Sequence, residues 1–128
     1  MVGVTGLRME LFVQDMDVSI DFYCRVLGFE LLRREEGYAS LRSGGVVLGL
    51  GPIAKLPVSD GYFTQRRLAG DRGAGVEIVL EVDDIDAMEE RVRAAGHPIS
   101  EPLEDRPWGL RDFRIVDPDG YYLRLTTA

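Results

Sequence analysis

Leu7-Arg8-Met9-Glu10-Leu11-Phe12-Val13-Gln14-Asp15 leads into a helical stretch that ends at Leu27-Gly28. Val76-Glu77-Ile78-Val79-Leu80-Glu81-Val82-Asp83-Asp84 leads into another that ends at Ala95-Gly96. With Val13 set on Val82, the strand, the turn aspartate and the helix-closing glycine agree within one residue. Internal repetition is decisive for architecture because each copy is one structural unit. Here it implies an α+β chain of two βαβββ-like units, with a cleft between them or inside each sheet.

Working outward from the first copy, residues 7–14 alternate. Leu7, Met9, Leu11 and Val13 point one way; Arg8, Glu10, Phe12 and Gln14 point the other, as a strand requires. Asp15 or Asp17 can cap the helix that follows. Val18, Phe22, Cys24 or Arg25, and Val26 supply its apolar spacing. Gly28 suits the left-handed residue that closes a helix. Strands are expected around 29–35, 37–42 and 45–50, with Gly37 and Gly44-Gly45 as turns.

Residues 51–74 break the rhythm with Gly, Pro and the cluster Arg66, Arg67 and Arg72, and they read as a linker whose arginines are solvated charge or, if the linker folds across the cleft, a closure over an acidic ligand. Loops of this length are often functional. The second unit should contain a strand at 76–82, a helix near 85–95 opened by the pair Asp86…Glu89, and strands near 99–105, 111–116 and 120–126. Asp117-Pro118-Asp119-Gly120 is a tight-turn sequence. The modules thus run about 5–50 and 75–127 within one domain of 128 residues.

Net charge of −7 argues against general nucleic-acid binding, which needs a basic face. No apolar run reaches the length of a membrane span, and no secretory leader pattern opens the chain, so a cytoplasmic location is expected. The single Cys24 excludes an intrachain disulfide and a cysteine-rich zinc site. His97, after Gly96, has no second ligand beside it in sequence.

Phe12-Val13-Gln14-Asp15 followed by Phe22-Tyr23-Cys24-Arg25-Val26-Leu27-Gly28-Phe29 resembles the opening of the vicinal oxygen chelate superfamily, the glyoxalase, bleomycin-resistance and ring-cleaving dioxygenase group. Pro107-Trp108-Gly109-Leu110-Arg111-Asp112-Phe113 and Asp117-Pro118-Asp119-Gly120-Tyr121 resemble its second-half signature. The resemblance covers the chain apart from the linker. It implies paired βαβββ modules that curl mixed sheets into cups, and a homodimer; open sheet edges also call for a partner.

Enzymes of that group bind a divalent metal through the first and last strand of each half. The motifs place those four positions on Arg8, Gly49, Glu77 and Arg124. Only Glu77 can coordinate a cation, and two guanidinium groups repel one. A catalytic metal needs about three protein ligands. No metal or other cofactor is therefore expected. The pattern resembles the bleomycin-resistance branch, which sequesters a drug in a dimer cleft.

In that branch the Trp of the PWG motif stacks on a flat ligand, which points to Trp108. By alternation Tyr122 shares a face with Arg124, Arg111 with Phe113, and Phe12 with Arg8 and Glu10. Arg8, Glu10, Phe12, Glu77, Trp108, Arg111, Phe113, Tyr122 and Arg124 are the candidate ligand-binding residues. Such a lining suits a planar, partly polar molecule. Arg8, Glu77 and Arg124 are expected to converge, as an ion-pair cluster, as a grip on an anionic or carboxamide group, or as both. Two other readings remain open: a metal-independent isomerase, lyase or cyclase with Glu10 or Glu77 as base, and a degenerate glyoxalase-like enzyme that recruits metal through Glu10 and Glu77.

Overall fold

The structure, a computed structural model, describes residues 2–128. The first module runs β1 (Met9–Val13), α1 (Met16–Asp21), a π-helical turn (Phe22–Val26), β2 (Glu30–Glu35), β3 (Tyr38–Ser43) and β4 (Val46–Pro52). The second runs β5 (Glu77–Glu81), α2 (Ile85–Ala94), β6 (Glu101–Asp105), β7 (Arg111–Val116) and β8 (Tyr122–Thr126). Each module forms one four-stranded mixed sheet, ordered β1-β4-β3-β2 and β5-β8-β7-β6. In each, the first strand lies parallel to the last, and the remaining neighbours are antiparallel. Neither sheet closes into a barrel, and the architecture is the α+β pair of repeated units expected from the repeat. No helix among the described residues is long and apolar enough to cross a membrane.

Alternation divides the faces of both sheets. Leu11, Val13, Ala39, Leu41, Leu48 and Leu50 turn from the first sheet into the core, and Ile78, Leu80, Phe113, Ile115, Leu123 and Leu125 from the second. The residues between them face outward on the cup side. Leu7 lies before β1 and is exposed, so the apolar stripe begins at Met9 rather than Leu7.

The helix details depart from the expected spacing. Asp15 caps α1 by accepting from the Val18 N–H. Val18 itself is half exposed; the buried stripe is Met16, Ser19, Phe22, Tyr23, Val26 and Leu27. The π turn adds one residue per repeat, so Phe22 and Tyr23 both reach the core together with Val26 and Leu27. Gly28 follows at φ 82°. Arg91 of α2 then covers the end of this helix by donating to the carbonyls of Cys24, Arg25 and Val26. On α2 the cap is Asp84, which accepts from the Ala87 N–H; Asp86 sits in the first turn and pairs with Arg111 instead. His97 packs on Phe22 and bonds the Val116 carbonyl, so it ties the modules together.

The Asp117-Pro118-Asp119-Gly120 turn does more than reverse the chain. Asp117 accepts from the Tyr23 hydroxyl at 2.6 Å and from the N–H groups of Asp119 and Tyr121. Asp119 accepts from the Gln14 N–H at 2.7 Å, from the Ser19 hydroxyl at 3.0 Å and from Arg72 at 2.8 Å. Tyr121 donates to the Phe12 carbonyl. Both carboxylates are buried. Arg72, expected as solvated linker charge, is thus a partly buried cation paired with a buried carboxylate.

Removing the Asp117 side chain orphans a buried hydroxyl and two buried N–H groups. Asp117→Ala should therefore destabilise by about 3 kcal/mol or more, at about 1–3 kcal/mol per unsatisfied group. Asp117→Asn, which keeps an acceptor and can donate to Tyr23, should lose about 1 kcal/mol. Urea unfolding of the two variants measures the difference.

Burial first, and the Asp117 charge second, hold the Tyr23 hydroxyl well above the ordinary phenol value. The folded state therefore keeps this proton more tightly than the unfolded chain. The resulting stability is complete below about pH 10 and is lost as pH rises toward the folded value. Tyr23→Phe should lower stability at neutral pH by about 1–2 kcal/mol. It should also flatten the fall in stability above about pH 10, read by chemical denaturation at stepped pH.

Candidate functional site

The two cup faces are built at the same register and carry different chemistry. On the first sheet Glu10 lies opposite Gly49 and Phe12 opposite Gly51. Ser40 continues the Glu10 row on β3, and Tyr38 lies two residues from it. On the second sheet Val79 lies opposite Arg124, with Arg114 beyond it on β7. The repeat alignment sets Glu10 on Val79, so Gly49 and Arg124 occupy equivalent places. These are two of the four positions mapped as metal ligands.

Gly49 is buried beneath the Glu10 side chain. A Cβ there would collide with the Glu10 carboxylate and the Tyr38 hydroxyl. Both oxygens of Glu10 accept from Tyr38, at 3.1 and 3.2 Å, and Oε1 also pairs with Arg8 at 3.3 Å. Burial, then the Glu10 contact, raises the Tyr38 hydroxyl above its ordinary value. The Arg33 guanidinium lies over the Tyr38 ring. Phe12 lies across Gly51, and Phe63 from the linker stacks on it at 4.6 Å. Tyr62 meets Phe63 edge-on, and Arg67 sits over Tyr62 at 4.2 Å. The linker therefore supplies an aromatic cover to the first cup, a contribution that its Gly- and Pro-rich composition concealed.

On the second cup Arg124 pairs with Glu77 at 3.3 Å, and Arg114 with Glu101 at 3.1 Å. Arg106 holds the buried Asp112 at 2.7 Å. Tyr122 lies on this same face, opposite Glu77. Trp108 stands in the β6–β7 turn, 55% exposed, between Arg106, whose N–H donates to the Leu110 carbonyl, and Gly109 at φ 92°.

Several candidate residues therefore divide differently from the sequence expectation. Glu77, Tyr122 and Arg124 come together on the second cup. Arg8, Glu10 and Phe12 come together on the first, so Arg8 does not join the Glu77–Arg124 pair but binds Glu10. Phe113 is fully buried on the core face of β7 and does not line a cup. Arg111, on the same side, pairs with Asp86 and Asp105. The alternation that grouped these two residues was correct; the face it assigned them was not. The cup face of β7 belongs to Asp112 and Arg114. Sequence reasoning missed Arg114, although its spacing of two from Asp112 in a period-two strand carried the signal.

The four mapped positions do not suit a divalent metal. Arg8 and Arg124 donate only, Gly49 is filled by its neighbours, and Glu77 is engaged by Arg124. Among the described residues no three His, Cys, Asp or Glu side chains converge as a metal site. Burial, then the neighbouring Asp21, raises the half-buried Cys24 thiol and keeps it in its unreactive form.

A family model described as glyoxalase/bleomycin resistance protein/dioxygenase superfamily matches residues 7–125. A bleomycin resistance protein of Geobacillus stearothermophilus is 32% identical over 117 residues, covering 84% of each chain. The crystal structure of TioX from Micromonospora sp. ML1 superposes with a TM-score of 0.76 at 31% identity, over 95% of this chain and 98% of that one. A glyoxalase/bleomycin resistance protein/dioxygenase from Nocardioides superposes with a TM-score of 0.78 at 27% identity, over 99% and 85%. Together the repeated mixed sheets, the family match along nearly the whole chain and these likenesses establish that the chain belongs to the glyoxalase/bleomycin resistance protein/dioxygenase superfamily.

Proposed function

We propose that this protein binds a planar or aromatic natural product in its cups and protects by sequestration, without metal and without turnover. The observation that carries this reading is the fate of the mapped metal positions. Two are guanidinium groups, one is a glycine filled by its neighbours, and the remaining carboxylate is tied to Arg124. Similarity to a bleomycin resistance protein points the same way. So does the lining: Phe12, Phe63 and Tyr62 in one cup, Tyr122 with paired charges in the other, and an exposed Trp108 at the rim. The general-base alternative is less well supported, because the oxygens of Glu10 already accept from Tyr38 and Arg8, and Glu77 is paired with Arg124.

The working form is a homodimer, with ligand clefts completed across two copies, each chain acting as one domain of two modules. Val2, Val4 and Leu7 before β1 are exposed, and the edge strand β2 exposes Leu31 and Leu32. Exposed apolar side chains beside an open sheet edge call for a covering partner. The expected setting is the cytoplasm, with no nucleic-acid or membrane partner.

Light scattering at micromolar concentration should return twice the chain mass; a monomer alone would count against shared clefts. Native mass spectrometry against a panel of planar antibiotics, bleomycin among them, should then return ligand-bound dimers.

Trp108 provides the local report. It is the only tryptophan, so emission has one source, and its exposure leaves it open to acrylamide in the free protein. A stacking ligand should shield it. Trp108→Ala should weaken binding by about 1–3 kcal/mol and change unfolding stability by no more than about 0.5 kcal/mol. Unchanged quenching at saturating ligand would move the binding surface away from this turn.

A further inference from the structure

Arg114 and Arg124 are directly opposed residues of the antiparallel pair β7–β8. Both stand on the cup face, with side chains 20% and 23% exposed. Like charges directly opposite one another repel, and partial burial strengthens that repulsion. Their compensation is thin. Each guanidinium carries five donors in a rigid fork, yet Arg114 has Glu101 at 3.1 Å and Arg124 has Glu77 at 3.3 Å. The Nε–H of both is buried and meets no acceptor among the described residues. Asp112, held by Arg106, adds its charge to Arg114 at 3.9 Å from Nε but lies beyond hydrogen-bond length, so the Nε–H stays unbonded.

The cations and their carboxylates also differ in placement. Glu77 and Glu101 are 37% and 47% exposed, at the rim, where they can turn into water. The guanidinium groups are the more buried partners. Tyr122 stands beside Arg114 on the same face. Glu77 and Tyr122 also form one wall of a hollow of about 530 Å³ that extends under the glycine-rich segment 70–75.

We propose that Arg114 and Arg124, with the Tyr122 hydroxyl, form a receptor for the carboxylate of an aromatic ligand, and that Glu77 and Glu101 occupy this receptor until the ligand displaces them. The inference rests on the small-molecule reading above and deepens it by naming the ligand's polar group. A carboxylate presents two coplanar oxygens that match a guanidinium fork. It supplies the acceptors that the two Nε–H groups lack and screens the repulsion between the cations. Glu77 and Glu101, once displaced, regain solvent at the rim. No bond is made or broken.

The test compares naphthoate with its neutral isostere naphthamide by calorimetry on the full chain. Wild type should prefer naphthoate by about tenfold or more, and added NaCl should weaken naphthoate binding alone. Arg124→Met should abolish the preference. Glu77→Gln leaves both arginines in place and removes one competitor, so it should tighten naphthoate binding by about threefold or more with naphthamide unchanged. Equal binding of the two probes in wild type and in Glu77→Gln overturns the carboxylate receptor while the small-molecule reading stands on naphthamide. Where neither probe binds, that reading fails for such aromatics, and a phosphate titration followed on the Arg114 and Arg124 Nε–H resonances decides the receptor by itself. Saturable shifts at constant ionic strength sustain it; fixed resonances overturn it.

Discussion

Two buried carboxylates in one turn hold this fold together. The sheets share no ladder, so their relation depends on side chains. Asp117 and Asp119 reach from the β7–β8 turn into the first module and take hydrogen bonds from Tyr23, Ser19 and the Gln14 backbone. Buried charge is costly unless its acceptors are filled. Here one aspartate satisfies a hydroxyl and two amides, and the other an amide, a hydroxyl and a guanidinium. That geometry is available only when β1, α1, the linker arginine and the turn are all in place. The constraint therefore ties the β7–β8 turn to the first module and anchors the linker through Arg72.

Within that frame the two modules have diverged on one face only. Their core faces are both apolar, aliphatic but for Phe113. Their cup faces are not: one is aromatic, with a glycine at its centre, and the other is a lattice of arginines and carboxylates. The distinction follows from alternation, because odd and even positions of a strand answer to different demands. Core positions must fill volume, whereas cup positions are free to take the chemistry that a ligand requires.

The architecture was legible because period-two alternation and the helix-closing glycines occur twice. The strands fall near the expected limits, and Gly28 and Gly96 both take the left-handed conformation. The sites of interaction between modules were not legible. Arg72 reads as linker charge until Asp119 is placed beside it, 47 positions away, and nothing in the sequence singles out Ser19, 100 positions from the same carboxylate. The pairing of Arg8 with Glu10 rather than Glu77 follows from the separation of the two sheets, which no local pattern encodes. Phe113 was misplaced for a simpler reason. A strand pattern tells which residues share a face but not which face meets the core, and the neighbouring Asp112, buried by Arg106, masks the polar side.

Gly49 bears on how reversible such a site is. A donor side chain introduced there enters space already held by Glu10 and Tyr38. A side chain there requires the Glu10 carboxylate and the Tyr38 hydroxyl to swing aside and give up their hydrogen bonds to one another. Arg124, at the equivalent place in the other module, adds a second obstacle of opposite kind, since it repels a cation rather than excluding a ligand atom. A metal centre at these positions would therefore need several substitutions together, because a donor at position 49 alone still faces the guanidinium groups of Arg8 and Arg124.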